Sequence, residues 1–131
     1  MSGAVLDTSV FIARESGRPL RNQPALDDLR VTVITLAELE AGVLAAKTPD
    51  DRAARLATLQ SLANLAAIPV DDKAAHEWAL LRVKLAQAGR KVNANDLWIA
   101  AIAAANGLPV VTQDDDFDAI ETVGGPAVVK I

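Results

Sequence analysis

The sequence predicts an α/β sandwich in which helices flank a central, mainly parallel sheet, and three observations carry that expectation. Short apolar or β-branched runs, such as Val5-Leu6, Val31-Thr32-Val33-Ile34 and Val110-Val111, alternate with longer segments whose apolar residues recur at helical spacing. These runs do not alternate with polar residues, so they read as strands covered on both faces, as in a parallel sheet. Acidic residues stand directly behind them, at Asp7 and at Asp114, Asp115 and Asp116, where the ligand sites of such sheets gather. We expect one domain over residues 1–131, a length that suffices for one core but not for two.

Residues 4–6 form the first strand, and Asp7-Thr8-Ser9 turns the chain into a helix that reaches Arg14. From its position alone, Asp7 serves equally well as a helix cap or as a site carboxylate. Residues 16–24, with Gly17, Pro19 and Pro24, read as a loop associated with Arg14, Arg18 and Arg21. The second strand covers residues 31–34, and Thr35 opens a helix with Leu36, Leu39, Val43 and Ala46 at helical spacing. Thr35 and Glu38 match a capping box, which would account for Glu38 without any chemistry. Against that reading, Gly42 omits a side chain one turn further on the same face, leaving room for a close approach. Glu40 points to the opposite side.

Thr48-Pro49-Asp50-Asp51 starts a helix with the stripe Ala53, Leu56, Leu59 and Ala63, leaving Arg52 and Arg55 in solvent. Residues 67–70 make a short strand that Pro69 confines to the sheet edge. Asp71-Asp72 cap a long helix with Ala74, Trp78, Leu81 and Leu85 on one side and His76 on its face; Gly89 ends it. Arg90 and Lys91 then precede an almost wholly apolar helix. We expect Asn95 to cap that helix, Asp96 to stand at its head and Asn106-Gly107 to stop it. Residues 108–112 form a further strand. In the acidic run behind it, Asp116 is available to cap a brief helix through Ile120, and Asp115 reads as polar loop. Gly124-Gly125-Pro126 turns the chain into a last strand, residues 128–131.

Composition removes several chemistries. With no Cys and one His, disulfides, thiolate catalysis and the usual zinc sites are excluded, so a metal would be held by oxygen, as Mg2+ or Mn2+ is. A net charge of -4 and 3% aromatic residues lack the basic charge and stacking surface of an autonomous single-strand binder, although 13 Lys and Arg can still gather on one face. There is no apolar run of about 18 residues and no signal-like start, so we expect a soluble cytoplasmic protein with no membrane partner.

Asp7, Glu38, Asp96 and the acids at 114–116 are thus expected at one edge of the sheet. Unpaired carboxylates that close would repel and raise one another's pKa values, and a divalent cation would neutralise them. A pocket of this kind, without His, Cys or a P-loop, suits hydrolysis of a nucleic-acid phosphodiester. Arg14, Arg90 and Lys91 are expected to hold flanking phosphates.

Four stretches resemble, in order and spacing, the PIN-domain toxins called VapC, and the likeness covers essentially the whole chain. They are Val5-Leu6-Asp7-Thr8-Ser9-Val10, Thr35-Leu36-Ala37-Glu38-Leu39 with Gly42, Asn95-Asp96-Leu97-Trp98-Ile99-Ala100-Ala101, and Val111-Thr112-Gln113-Asp114-Asp115-Asp116-Phe117. The resemblance implies a PIN-like three-layer sandwich and a Mg2+-dependent endoribonuclease, the toxin half of a toxin–antitoxin pair. It further implies a homodimer, silenced by a small VapB antitoxin that covers the active site. By motif position, Asp7 and Asp96 would be the principal metal ligands, with Glu38 completing the site and orienting water. The Thr-x-Asp pattern favours Asp114 over Asp116 as the fourth acid, with Thr112 as a brace. A phosphoacceptor regulatory module is the alternative class, since it too uses an acidic Mg2+ pocket at this edge. It fits less well, because Thr8 stands where a second acid is needed and Gln113 where a Lys is needed. A phosphatase with an Asp-x-Asp nucleophile fails similarly at Ser9.

Overall fold

A computed structural model describes residues 3–20 and 28–131; Arg21 and the end of the expected 16–24 loop lie outside the described residues. The elements run β1 (Ala4–Leu6), α1 (Thr8–Glu15), β2 (Leu29–Thr32), α2 (Val33–Ala45), α3 (Pro49–Gln60), β3 (Ala67–Ile68), α4 (Asp72–Gln87), α5 (Ala94–Ala105), β4 (Val110–Thr112), α6 (Asp118–Thr122) and β5 (Val128–Lys130). The strands lie in the order β3-β2-β1-β4-β5, and each of these pairings is parallel. With β1 in the middle, the chain winds outward in both directions. The carboxyl ends of all five strands therefore share one edge, which fixes where a site can form.

Alternation along the strands sorts the core into two layers. Ala4, Leu6 and Val111 point to one face, where they pack with Val10, Phe11, Leu39 and Leu62. Val5 and Val110 point to the other face, onto Leu81, Leu85, Leu97, Ile99 and Ile102. Helices on both sides of a sheet whose central strands β1 and β4 are wholly buried give the expected three-layer sandwich. Helix α5 is the most enclosed of the helices, with Ile99 to Ala103 all buried, because its alanines let α4 and the sheet approach on most sides. Trp98 leaves that packing to stack on Trp78 of α4, ring centroids 5.0 Å apart. A helix leading into a parallel strand runs against it, so α5 begins at the carboxyl edge of the sheet and ends at Gly107 (φ 66°), which takes the left-handed stop.

Several local expectations are corrected. The second strand is Leu29–Thr32, not residues 31–34; Val33 and Ile34 already belong to α2. The β-branched run conceals a helix start because the Thr32 side chain accepts a hydrogen bond from the Thr35 N–H and caps α2. The Thr35–Glu38 capping box consequently does not form. Asn93, not Asn95, caps α5, accepting from the backbone N–H groups of Asn95 and Asp96. Asp116 caps nothing: α6 starts behind Phe117, without a side-chain cap. The apolar stripe of α3 meets the core only in part: Leu59 packs against it half-buried, whereas Leu56 is 40% exposed and no residue of the helix is fully buried. Apolar spacing there describes an amphipathic helix on the surface.

Candidate active site

Each acidic side chain reaches the carboxyl edge from a different element. Asp7 follows β1 and caps α1, accepting from the Ser9 N–H at 3.4 Å, so the capping and site readings both hold for it. Only 3% exposed, it is held by an ordered series of donors. The Thr112 hydroxyl donates to Asp7 Oδ2 at 2.9 Å. Its one proton being used there, Thr112 Oγ1 accepts from Ser9 Oγ at 3.1 Å, and Ser9 Oγ accepts from the Gln113 N–H at 3.0 Å. Gln113 is itself anchored through its amide to the Ile131 carbonyl. Thr112 Oγ1 also accepts from the Asp114 N–H at 3.0 Å, linking the first acid to the last.

A second series positions Glu38 on the second turn of α2. The Thr8 hydroxyl donates to Glu38 Oε1 at 2.7 Å, and so accepts from Thr35, whose hydroxyl lies 2.9 Å away. The Asn95 amide donates to Glu38 Oε2 at 3.4 Å. With the capping box absent and both carboxylate oxygens held across the sheet, Glu38 belongs to the edge cluster. Beside it opens a cavity of about 370 Å3 lined by Thr8, Ile12, Glu15, Glu38, Leu39, Gly42 and Arg55. What approaches Gly42 is Arg55, which donates to its carbonyl at 2.7 Å; the expected solvated arginine is thus a helix-to-helix strut.

Asp96 lies in the first turn of α5, where the helix dipole favours negative charge. Yet its pKa is pushed up to about 7, first by burial and then by the charges of Asp7, Asp116, Glu38 and Asp114. Desolvation and like charge outweigh the dipole here. Burial likewise raises Asp7, against the lowering effect of its Ser9 and Thr112 hydrogen bonds. Asp114 is raised by burial, then by Asp7 and Asp116, while Arg18 pulls it the other way. The five acids therefore share one electrostatic field. Asp115 turns outward to the Lys130 ammonium, 2.5 Å away, which also binds Asp118 at 2.8 Å, in keeping with a loop role.

Among the described residues, no three of these carboxylates are already close enough to grip an ion. The donor set nevertheless fits a hard divalent cation: every candidate ligand is a carboxylate oxygen, and their mutual repulsion adds to the effect of burial in raising Asp96. Of the expected phosphate-holding residues, Arg90 and Lys91 line a cavity beside the start of α5. Arg14 sits on the last turn of α1, about 10 Å of helix rise from Asp7, its guanidinium 6.0 Å from the Phe11 ring. Thr8, Ser9, Thr35, Asn95 and Arg18 were not identifiable as site residues from sequence. One signal was available for Asn95: with Asn93 two residues earlier, only one of the pair is needed as the cap.

Residues 4–123 match the PIN domain family. The chain is 55% identical to Ribonuclease VapC5 of Mycobacterium tuberculosis (strain ATCC 25618 / H37Rv) over 130 residues, 99% of this chain and 96% of that protein. To Ribonuclease VapC4 of the same organism it is 42% identical over 120 residues, 92% of each chain. It superposes on a chain from the crystal structure of VapBC-5, a member of the VapBC family of toxin-antitoxin systems from Mycobacterium tuberculosis. That match has a TM-score of 0.91 and 52% identity and covers 100% of both chains. The chain belongs to the PIN-domain family and, within it, to the VapC proteins.

Proposed function

We propose that this chain is a metal-dependent endoribonuclease, the toxin of a VapBC-type pair, which hydrolyses RNA phosphodiester bonds and is silenced by a VapB-type antitoxin. The observation that carries the reading is the convergence of Asp7, Glu38, Asp114 and Asp116 on Asp96, whose pKa burial first and these four charges second push up to about 7. Names given to the relatives support it: two are ribonucleases, and the matched structure is a toxin–antitoxin system.

Asp7, Asp96 and Asp114 would hold the cation, Mg2+ or Mn2+, with Glu38 completing the set. When bound, the cation supplies charge compensation and Lewis acidity toward the phosphodiester. The Thr112 hydroxyl and the Ser9 N–H keep Asp7 aimed by donating to it, and the Ser9 hydroxyl braces Thr112. Thr8 and Asn95 fix both oxygens of Glu38, leaving it placed to orient a water. Asp116, exposed and within the field of Asp96, adds negative charge without being enclosed. Arg90 and Lys91 would hold flanking phosphate, and Arg14 a more distant one. The phosphoacceptor alternative needs a lysine at the acidic pocket, whereas the Lys130 ammonium is bound to Asp115 and Asp118.

The test is cleavage of structured and single-stranded RNA, and of DNA, by purified antitoxin-free protein in Mg2+, in Mn2+ and in excess chelator, beside Asp7→Asn. RNA cutting that requires both metal and Asp7 supports the assignment. Metal-independent cutting, or equal cutting by Asp7→Asn, overturns it.

A further inference from the structure

Between the end of α4 and the start of α5 lies a cavity of about 190 Å3, lined by Arg82, Leu85, Arg90, Lys91, Val92 and Leu97. Three cations and no acid surround it, in a chain whose net charge is -4. The ion pairs among the described residues are those of Lys130, so no described carboxylate is paired with Arg82, Arg90 or Lys91. Three like charges around one concavity repel, and a bound anion removes that cost.

The lining is built rather than incidental. Leu85 and Leu97 are each 3% exposed and give a fixed apolar floor, which lowers the local polarity and strengthens the pull on an anion. The Arg82 guanidinium lies 5.9 Å from the Trp78 ring, which is stacked in turn on Trp98. Leu97 lines this cavity while its neighbour Asp96 belongs to the acidic field, so the two features adjoin at the first turn of α5. Arg18, from the segment after α1, acts on Asp114.

We propose that this cavity is a backbone-phosphate site for RNA, in which Arg82, together with Arg90 and Lys91, holds a phosphate beside the scissile bond and fixes how the strand crosses the carboxylates. The inference rests on the nuclease reading above and adds to it Arg82 and a defined anion site. A phosphate contact of this kind positions the strand without reading its bases.

The experiment uses the Asp96→Asn protein, so that binding is measured without cutting. Affinity for a labelled single-stranded RNA is followed by fluorescence anisotropy across a KCl series. Arg82→Gln and Lys91→Gln are added singly and together, with Lys73→Gln, at the far end of α4, as a charge control. Each cavity substitution should lower the slope of log affinity against log salt by about 0.7, the value for one phosphate contact on a single strand, and weaken binding several-fold. Lys73→Gln should do neither, and thermal melts check that all variants fold. Unchanged slopes, or an equal loss with Lys73→Gln, overturn the site. Inorganic phosphate that raises the melting temperature through Arg82 without displacing RNA overturns it in favour of a free-anion site. Wild-type cleavage is scored separately: cavity-dependent RNA binding without any cutting would overturn the nuclease reading and keep the phosphate site.

Discussion

The Thr112 hydroxyl donates to Asp7 Oδ2 at 2.9 Å, joining the end of β4 to the end of β1 across 105 residues of sequence. Because that single proton also sets the direction of the bonds from Ser9 and the Asp114 N–H, Thr112 positions two acids at once. Thr112→Val keeps the β-branched shape and removes the donor. It should lower metal affinity and cleavage about 10- to 100-fold, as loss of a partner behind a metal ligand does, with Thr112→Ser restoring most of both. Titration calorimetry with Mn2+ reads the affinity. Wild-type affinity in Thr112→Val would remove Thr112 from the site.

Asp96 supplies a pH signature. Its folded-state pKa of about 7 lies above its ordinary value of 3.8, so between those limits the folded protein holds a proton that the unfolded chain has released. Metal-free protein therefore loses stability as pH rises through that window, and the loss is complete above about pH 7. Asp96→Asn should flatten the slope and stabilise the metal-free protein at pH 8, by an amount that solvent screening at this half-open position limits to on the order of 1 kcal/mol. Urea melts in chelator at pH 5 and pH 8 measure it. If the wild type proves as stable at pH 8 as at pH 5 and the variant gains nothing, Asp96 is not under the strain described.

Asp114 and Asp116 should separate experimentally. Asp114 is half-buried and tied through its N–H to Thr112, whereas Asp116 is exposed. Asp114→Asn should cost at least about 100-fold in cleavage, a typical scale for a lost acid–base or ligand group, and Asp116→Asn less than tenfold. The reverse order in single-turnover rates would make Asp116 the fourth acid.

Away from the site, Gly125 admits no side chain. A Cβ there would stand 2.6 Å from the Ile120 carbonyl oxygen and 2.7 Å from its Cγ2, both part of α6. Gly125→Ala should destabilise by about 1–3 kcal/mol, the cost of overpacking against groups that cannot retreat. An unchanged urea midpoint would show that α6 yields.

Much of this was legible in the sequence because it depends on local composition. The buried strands at Val5-Leu6 and Val110-Val111, the central alanine-rich helix and the acids behind the strands are each readable within a few residues. What could not be read depends on partners far along the chain. Val33 and Ile34 look like strand until Thr32 is seen to cap a helix, and Glu38 looks like a cap until Thr8 and Asn95 are seen to hold it. Arg82 gave no signal because nothing in its own segment marks it; the cavity arises only where α4 turns back against α5.

The acids are contributed by positions 7, 38, 96, 114 and 116 of a chain of 131, and Asp7 is steadied by a hydroxyl at 112. A growing polypeptide that has not reached β4 and the acids behind it lacks the full set, so on the proposed assignment it would not cut. A cell making this protein would thereby gain an interval in which to have the inhibitor ready. Truncation or a missed strand would yield a harmless product rather than an unregulated one.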